Sequence, residues 1–140
     1  MVVKLCAIAM SWMAVFSADR EAVCHEVAQA ALRQGVEPAL AVALSFTESR
    51  FSMDAKSSAG AVGPLQILPK YYCPNKTIKG CDLIDAGIEA IIRHQRRYGP
   101  RRFDVLCHWN SGNRCTARSK YFARKVLKRR RLLAKGQGDN

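Results

Sequence analysis

The sequence has few acidic residues and no long apolar segment. Only 11 of its 140 residues are Asp or Glu, against 23 Lys and Arg, so the formal net charge is +12. No apolar run reaches the ~18–20 residues of an ordinary membrane-spanning helix, and repeats with a solenoid-like period are absent. A hydrophobic content of 49% excludes a wholly disordered chain and fits one domain with one core. The positive charge favours an anionic partner, for which nucleic acid, anionic lipid and bacterial cell wall all qualify.

The first residues have the layout of a secretory signal. Lys4 is the only charge before Asp19, an apolar stretch runs from Leu5 to Phe16, and small residues follow it. We therefore expect residues 1–17 to be a signal peptide and the protein to be exported. The alternatives are the first helix of a cytosolic domain and a retained membrane tether.

The cysteines also indicate export. After Cys6, which lies in the expected signal peptide, two pairs share a spacing of eight residues and bracket polar, turn-rich segments: Cys73 with Cys81, and Cys107 with Cys115. Disulfides across these segments fit an oxidising compartment. Cys24 is left as a buried thiol or as a partner of another cysteine. The cysteines lack the close spacing of a structural zinc site, and the histidines lack the matching pair, so no metal is expected. No organic cofactor is expected either.

Helical patterns dominate the remaining sequence, and strand signals are almost absent. Asp19 is expected to cap a helix that ends at Gly35, and Pro38 suits the first turn of a nearly continuous apolar helix. A Ser- and Gly-rich loop over residues 52–64 follows, then a short segment that Pro69 is expected to break. Asp82 is expected to cap an amphipathic helix. The last two helices are predicted around 103–109 and from Thr116 or Ser119 onward, which makes the chain mainly α with little or no sheet.

Glu48 lies at the end of the apolar helix and is the residue that indicates most about function. A carboxyl group next to an apolar run is partly desolvated, which raises its pKa. A glutamic acid that stays protonated near neutral pH can serve as a general acid. The alternative is a glutamate at a helix end that simply faces solvent.

The segment that starts at Glu48 resembles the signature of the soluble, goose-type-lysozyme-like lytic transglycosylases. The family pattern is Glu-Ser-x-Phe/Tyr, then Ala-x-Ser, then Gly-Ala-x-Gly-Leu-Met-Gln-Ile/Val-x-Pro. A later segment, His-Trp-Asn-Ser-Gly-Asn over 108–113, is similar to the family's Tyr-Asn-Ala-Gly motif. The resemblance covers roughly residues 36–127. The matching residues in the first segment are Glu48, Ser49, Phe51, Ala55, Ser58, Gly60, Ala61, Gly63, Leu65, Gln66, Ile67 and Pro69.

The sequence departs from the family pattern at three places. Pro64 follows the glycine where Leu is usual, and Lys70 and Tyr71 replace the usual Thr. Trp109 stands in place of Tyr, which removes a hydroxyl group expected to contact the acid. This change is expected to lower activity or to shift the pKa of Glu48.

The resemblance implies a single lysozyme-like domain, with helices around a substrate groove, over residues 18–127. Its implied substrate is peptidoglycan, cut between N-acetylmuramic acid and N-acetylglucosamine. Glu48 would act alone, first as general acid and then as base toward the muramic 6-hydroxyl group, which leaves a 1,6-anhydro end. Asp54 is the nearest second carboxylate in sequence, with a loop cap as its alternative role. The rival functions are a muramidase that hydrolyses the same bond and a non-enzymatic basic module that binds wall or nucleic acid.

Candidate substrate-binding residues follow from the resemblance and from side-chain chemistry. Gln66 offers a donor and an acceptor to an N-acetyl group, and glycines allow the backbone to approach a glycan. Aromatic residues can stack on sugars or belong to the core. His108 is a weaker candidate. The predicted set is Ser49, Gly60, Gly63, Gln66, Ile67, Tyr72, Trp109 and Asn110.

The C-terminal region is strongly basic. From Arg118 to Lys135 it carries nine Lys and Arg residues and no acid. Residues 128–140 are expected to form a basic tail that attracts anionic wall polymer or lipid, or else to be a solvated helix face. Specific nucleic-acid binding is not expected because no docking element is visible. We expect a monomer in the periplasm or cell envelope or, if a phage encodes it, in the virion.

Overall fold

The computed structural model describes residues 1–138, and it is mainly α as predicted. β structure in this part of the chain consists of two isolated bridges, Lys56 with Val62 and Val62 with Ile67. A 3₁₀ turn covers Pro74–Lys76. The seven α-helices of the described residues are α1 Val2–Met10, α2 Ala18–Gln34, α3 Pro38–Ser49, α4 Pro69–Tyr72, α5 Leu83–Tyr98, α6 Arg102–Ser111 and α7 Ala117–Gly136.

Most helix ends follow the local sequence signals. Gly35 ends α2 in the left-handed region with φ 78°, and Pro38 is in the first turn of α3. The Asp82 carboxylate accepts hydrogen bonds from two backbone N–H groups at the start of α5. These turn residues therefore set the length of the helices that carry the site.

Two predicted boundaries were wrong. The cap of α2 is Ser17, whose hydroxyl accepts from the backbone N–H of Arg20, and Asp19 lies inside the helix. Ser17 has the extended backbone that a cap requires. Pro69 does not break a segment but starts α4, because proline is tolerated in a first helical turn where its missing N–H is not needed.

The apolar helix α3 lies at the centre of the core. Every residue from Ala39 to Phe46 is buried, and α3 packs against α1, α2 and α7. Helix α5 contributes an apolar stripe that includes Ile84, Ile88 and Ile91. This packing fixes the last turn of α3, which carries Glu48.

The N-terminal segment is part of the core. Leu5, Cys6 and Ala9 are fully buried, and α1 packs against α2, α3 and α7. Cys6 forms a disulfide with Cys24, so Cys24 is not a free thiol. Removal of the predicted signal peptide would break this disulfide and uncover part of the core. Cleavage after residue 17 stays a prediction.

Both disulfides expected from the sequence are present. Cys73 is bonded to Cys81, and Cys107 is bonded to Cys115. The first closes the segment between α4 and α5, and the second joins the end of α6 to the start of α7. Both loops lie next to elements that line the site described below.

Helix α7 continues through much of the predicted basic tail. Leu133 is fully buried, and Arg130 donates to both carboxylate oxygens of Glu37 at 2.6 Å. Residues 128–136 are therefore part of a packed helix, whereas Asp139 and Asn140 lie outside the described residues. Within the described part, no helix is both long enough and apolar enough to cross a bilayer.

Candidate active site

Glu48 lies in the last turn of α3 and is largely buried. Burial penalises the charged carboxylate and raises the pKa of Glu48 to about 7. A hydrogen bond from Trp109 favours the charged form and so lowers the pKa, but by less than burial raises it. The carboxyl group is therefore about half protonated at pH 7, whereas an ordinary glutamate would be almost fully charged.

Trp109 on α6 provides the hydrogen bond to this acid. Its Nε1–H donates to Oε2 of Glu48 at 2.8 Å. The tyrosine hydroxyl that was expected to contact the acid is absent, as the sequence indicates, and the expected effect on activity or on the pKa of Glu48 stays a prediction. The indole N–H supplies a donor where the family has an O–H.

A cavity of about 300 Å³ lies beside this pair. Glu48 does not line it directly, but its partner Trp109 does. In all, five of the predicted binding residues line the cavity: Gln66, Ile67, Tyr72, Trp109 and Asn110. The loop before α4 and the end of α6 therefore meet at one groove, and the last turn of α3 is joined to it through the bond of Glu48 to Trp109.

Gln66 is held by the loop that precedes it. Its backbone has φ 54°, and its side-chain NH₂ donates to the carbonyl oxygens of Ala55 at 3.1 Å and Gly63 at 2.9 Å. Because the amide nitrogen is engaged, the side-chain oxygen is the group available to a ligand. An acceptor at this place suits the N–H of a sugar N-acetyl group.

Three predicted binding residues do not line the cavity. Ser49 donates to the carbonyl oxygen of Pro64 at 2.8 Å and accepts from the backbone N–H of Ser52, so it joins α3 to the loop. Gly63 has φ 80°, and a Cβ there would lie 3.0 Å from Leu83. Gly60 has φ 90° with open space around it. In this structure these residues shape the loop that carries Gln66.

His108, a weaker candidate from the sequence, also borders the groove, together with a histidine and a tyrosine that were not predicted as site residues. His94 on α5 and Tyr71 on α4 line the cavity. The His94 ring lies 5.0 Å from the Trp109 ring, and desolvation lowers its pKa, so it is uncharged near neutral pH. His108 stacks on Tyr98 with ring centroids 3.8 Å apart. No sequence motif marked His94, since only the packing of α5 on α6 brings it to Trp109.

The cavity offers no second acid. Its lining contains neither Asp nor Glu, and Asp54, the nearest candidate in sequence, is exposed in the loop. Among the described residues, no cluster of three or more His, Cys, Asp or Glu could hold a metal ion. The chemistry available at the groove is that of one buried carboxyl group with aromatic and amide neighbours.

Comparison with known proteins agrees with this geometry. The family model of the transglycosylase SLT domain matches residues 26–131, which is most of the chain and includes Glu48, Gln66 and Trp109. Neither a curated protein nor a solved structure gives a significant match. This family implies peptidoglycan cleavage of the lytic transglycosylase type and an extracellular or envelope location. The chain belongs to the transglycosylase SLT domain family.

Proposed function

We propose that the protein is a peptidoglycan lytic transglycosylase in which Glu48 is the only acid and base. The observation that carries this proposal is the buried Glu48 carboxyl group, with a pKa of about 7, bonded to Trp109 beside a groove. A carboxyl group with a pKa near the working pH can both give and accept a proton. One such group is sufficient for the two steps of this reaction.

In the first step the neutral Glu48 acts as general acid. Its proton passes to the oxygen that leaves with N-acetylglucosamine as the bond from C1 of N-acetylmuramic acid breaks. Negative charge then remains on the Glu48 carboxylate. The Nε1–H of Trp109, 2.8 Å from Oε2, stabilises that charge and keeps the carboxylate oriented.

In the second step the Glu48 carboxylate acts as base. It takes the proton of the muramic 6-hydroxyl group, whose oxygen bonds to C1 and forms the 1,6-anhydro ring. Glu48 is again protonated, so the cycle closes without water. The attack is intramolecular and gains the high effective molarity of a tethered nucleophile.

The rest of the groove would bind the glycan. The side-chain oxygen of Gln66 would accept from an N-acetyl N–H, and Asn110 would hold a sugar hydroxyl. Tyr72 and Trp109 offer aromatic faces that sugars can contact. Ser49, Gly60 and Gly63 would act indirectly, by holding the loop in place.

The lack of a second carboxylate beside Glu48 favours this reaction over hydrolysis. A muramidase that follows the usual two-carboxylate scheme needs a second carboxylate to activate water or to form a covalent intermediate. The pKa of Glu48 is shifted by burial and by the Trp109 hydrogen bond, with no contribution from another carboxylate of the described residues, and Asp54 is exposed. A purely binding module would have no need of a desolvated acid beside the groove.

We also propose that the protein is exported and works as a monomer on glycan strands. The Cys73–Cys81 and Cys107–Cys115 disulfides, which lie outside the predicted signal peptide, suit an oxidising compartment. The basic residues of α7 would assist by attraction to anionic polymer or lipid.

Product analysis in water labelled with heavy oxygen tests the proposed reaction. Purified sacculi are digested in this water, and the released fragments are weighed by mass spectrometry. We expect 1,6-anhydro ends that are one water lighter than reducing ends and carry no label. Reducing ends with label at C1 would show a muramidase, and no release of fragments would show a binding module.

A further inference from the structure

A second cavity lies on another face of α3, away from the groove. Its volume is about 320 Å³, and it shares no lining residue with the groove. Three apolar side chains and four cationic ones line it: Trp12, Phe46, Leu132, Arg50, Lys125, Lys128 and Arg129. We name it the basic cavity.

The helical register places the basic cavity opposite the acid. Phe46 lies near the end of α3, and Arg50 follows the helix as its C-terminal cap in the left-handed region. Glu48, two residues after Phe46, lies roughly 160° away from it around the helix axis. Because the two cavities share no lining residue, a ligand in the basic cavity would leave the groove open.

The positive charge of this cavity is not neutralised by the protein. The lining contains no acidic residue, and in the described residues none of its four cations forms an ion pair. The Arg129 guanidinium lies over the Phe46 ring at 4.8 Å and donates to Thr47 Oγ1 at 2.9 Å. Arg50 lies over the same ring at 5.4 Å. Both guanidinium groups are thus held against the same ring, and their concentrated positive charge would attract an anion.

Apolar residues are exposed at the rim. Leu132 is 46% exposed although it lines the cavity. The chain between Trp12 and Arg20 borders the same place, since Arg20 donates to the backbone oxygen of Arg50 at 3.1 Å. Within that segment Val15 and Phe16 are 77% and 63% exposed. The cations therefore occur together with the exposed Leu132 at the cavity, and Val15 and Phe16 follow Trp12 within four residues of the chain.

The geometry points to the basic cavity as a docking site for anionic phospholipid. The four cations would bind the headgroup phosphate, while Leu132, Val15 and Phe16 would contact the acyl-chain boundary. This combination of a cationic site and exposed apolar residues is typical of proteins that lie on a membrane interface. A phosphate-rich wall polymer would engage the charges but would leave these apolar side chains in water.

This orientation has a consequence for the substrate. With the basic cavity on a membrane, the groove on the other side of α3 would face away from the lipid, toward the wall. The inference does not rest on the proposed reaction, because the two cavities share no lining residue. Six of the seven lining residues lie outside the predicted signal peptide, whereas Trp12 and the exposed Val15 and Phe16 lie within it, so the proposed site belongs to the uncleaved chain.

Vesicle binding by charge-matched variants tests the site. The full chain is sedimented with phosphatidylcholine vesicles that contain or lack phosphatidylglycerol. The variant Lys125→Glu/Lys128→Glu is compared with Lys56→Glu/Lys79→Glu, which alters the net charge equally at exposed loop positions. We expect the first pair to weaken binding to the anionic vesicles about 10-fold more than the second. Equal losses, or equal binding to vesicles without phosphatidylglycerol, would overturn the proposal.

Tryptophan emission gives a second, local measurement. The protein has two tryptophans, so Trp109→Tyr leaves Trp12 in the basic cavity as the only one. Anionic vesicles should move the Trp12 emission to shorter wavelength, and brominated lipid should quench it. A soluble glycerol phosphate polymer should do neither. An unchanged spectrum with vesicles, or a response to the polymer alone, would show that lipid is not the ligand.

Discussion

The Nε1–H of Trp109 and the Oε2 of Glu48 are 2.8 Å apart, although the residues are 61 positions apart in sequence. The contact joins the end of α6 to the end of α3. It also opposes the effect of burial, because it stabilises the carboxylate that burial disfavours. The balance of these two effects leaves the pKa of Glu48 at about 7 and so sets the pH range in which the acid can work.

The variant Trp109→Phe should extend activity to higher pH. Loss of the donor removes the interaction that lowers the pKa of Glu48, so this pKa rises and the acid stays protonated to higher pH. The pH at which kcat/KM on soluble glycan fragments falls in alkaline solution should therefore be higher than in the wild type. Trp109→Tyr is the control, because its hydroxyl can replace the donor and should move the limb less. A limb that moves to lower pH in Trp109→Phe would contradict this account.

The variant Glu48→Gln should be more stable than the wild type in alkaline solution. The pKa of Glu48 is about 7 in the folded protein, against an ordinary value of 4.5. Its stabilising contribution is therefore present below about pH 4.5 and is lost as the pH rises through about 7. Above pH 7 the charged carboxylate destabilises the folded wild type by at most about 3 kcal/mol, and the uncharged Gln side chain avoids this loss of stability.

Urea unfolding across the pH range measures this difference. The two proteins should be nearly equally stable at about pH 4 and should separate as the pH rises toward about 8. A constant difference across the range would mean that the carboxyl group is not desolvated. The same series also shows whether Glu48→Gln is folded, which the activity measurements require.

The pair of Glu37 and Arg130 should stabilise the contact of α3 with α7. The two hydrogen bonds from Arg130, followed by its charge and that of Arg102, lower the pKa of Glu37 despite partial burial. Glu37→Gln should therefore cost about 1 kcal/mol at neutral pH, a modest value because the pair is partly exposed. This cost should be present above about pH 4.5 and should disappear as the pH falls through the depressed pKa of Glu37.

Glu89→Gln is the matched control for that measurement. Its partner Arg93 is one helical turn away, and both side chains are half exposed. Such pairs contribute less than about 0.5 kcal/mol. Thermal unfolding that shows the same loss for both variants would mean that the Glu37 pair has no special role.

The disulfide between Cys6 and Cys24 should be detectable in the full chain. A peptide map without reduction should show the two cysteines in one cross-linked fragment, which a reduced sample lacks. Replacing both by Ala should lower the free energy of unfolding by about 3 kcal/mol, given the length of the closed loop. Alkylation of Cys24 in the unreduced full chain would contradict the structure.

Local patterns were sufficient to predict most of the fold. The continuous apolar run predicted the buried α3, and the isoleucine spacing predicted the buried face of α5. Gly35, Pro38 and Asp82 marked helix ends because their effects are local to the backbone. The motif from Glu48 onward led to the groove residues Gln66 and Ile67, since neighbours in one loop stay close in space.

The features that sequence reasoning missed depend on packing between distant segments. Trp109 donates to Glu48 through its indole N–H, where the family pattern has a tyrosine hydroxyl group. A comparison of residue types alone does not reveal that the indole N–H reaches the acid. His94 reaches Trp109 only through the packing of α5 on α6. The Cys6–Cys24 disulfide was overlooked because Cys6 was assigned to a signal peptide and so removed from consideration.

The central claim is that the Glu48 carboxyl group is the single acid and base of glycan cleavage. The most direct test measures the rate at which 1,6-anhydro fragments are released from purified sacculi. Three proteins are compared: the wild type, Glu48→Gln and Asp54→Asn. Loss of a general acid should lower the rate of Glu48→Gln by about 10²–10⁴-fold, while Asp54→Asn, at an exposed loop position, should match the wild type. Wild-type release by a folded Glu48→Gln protein would contradict the account.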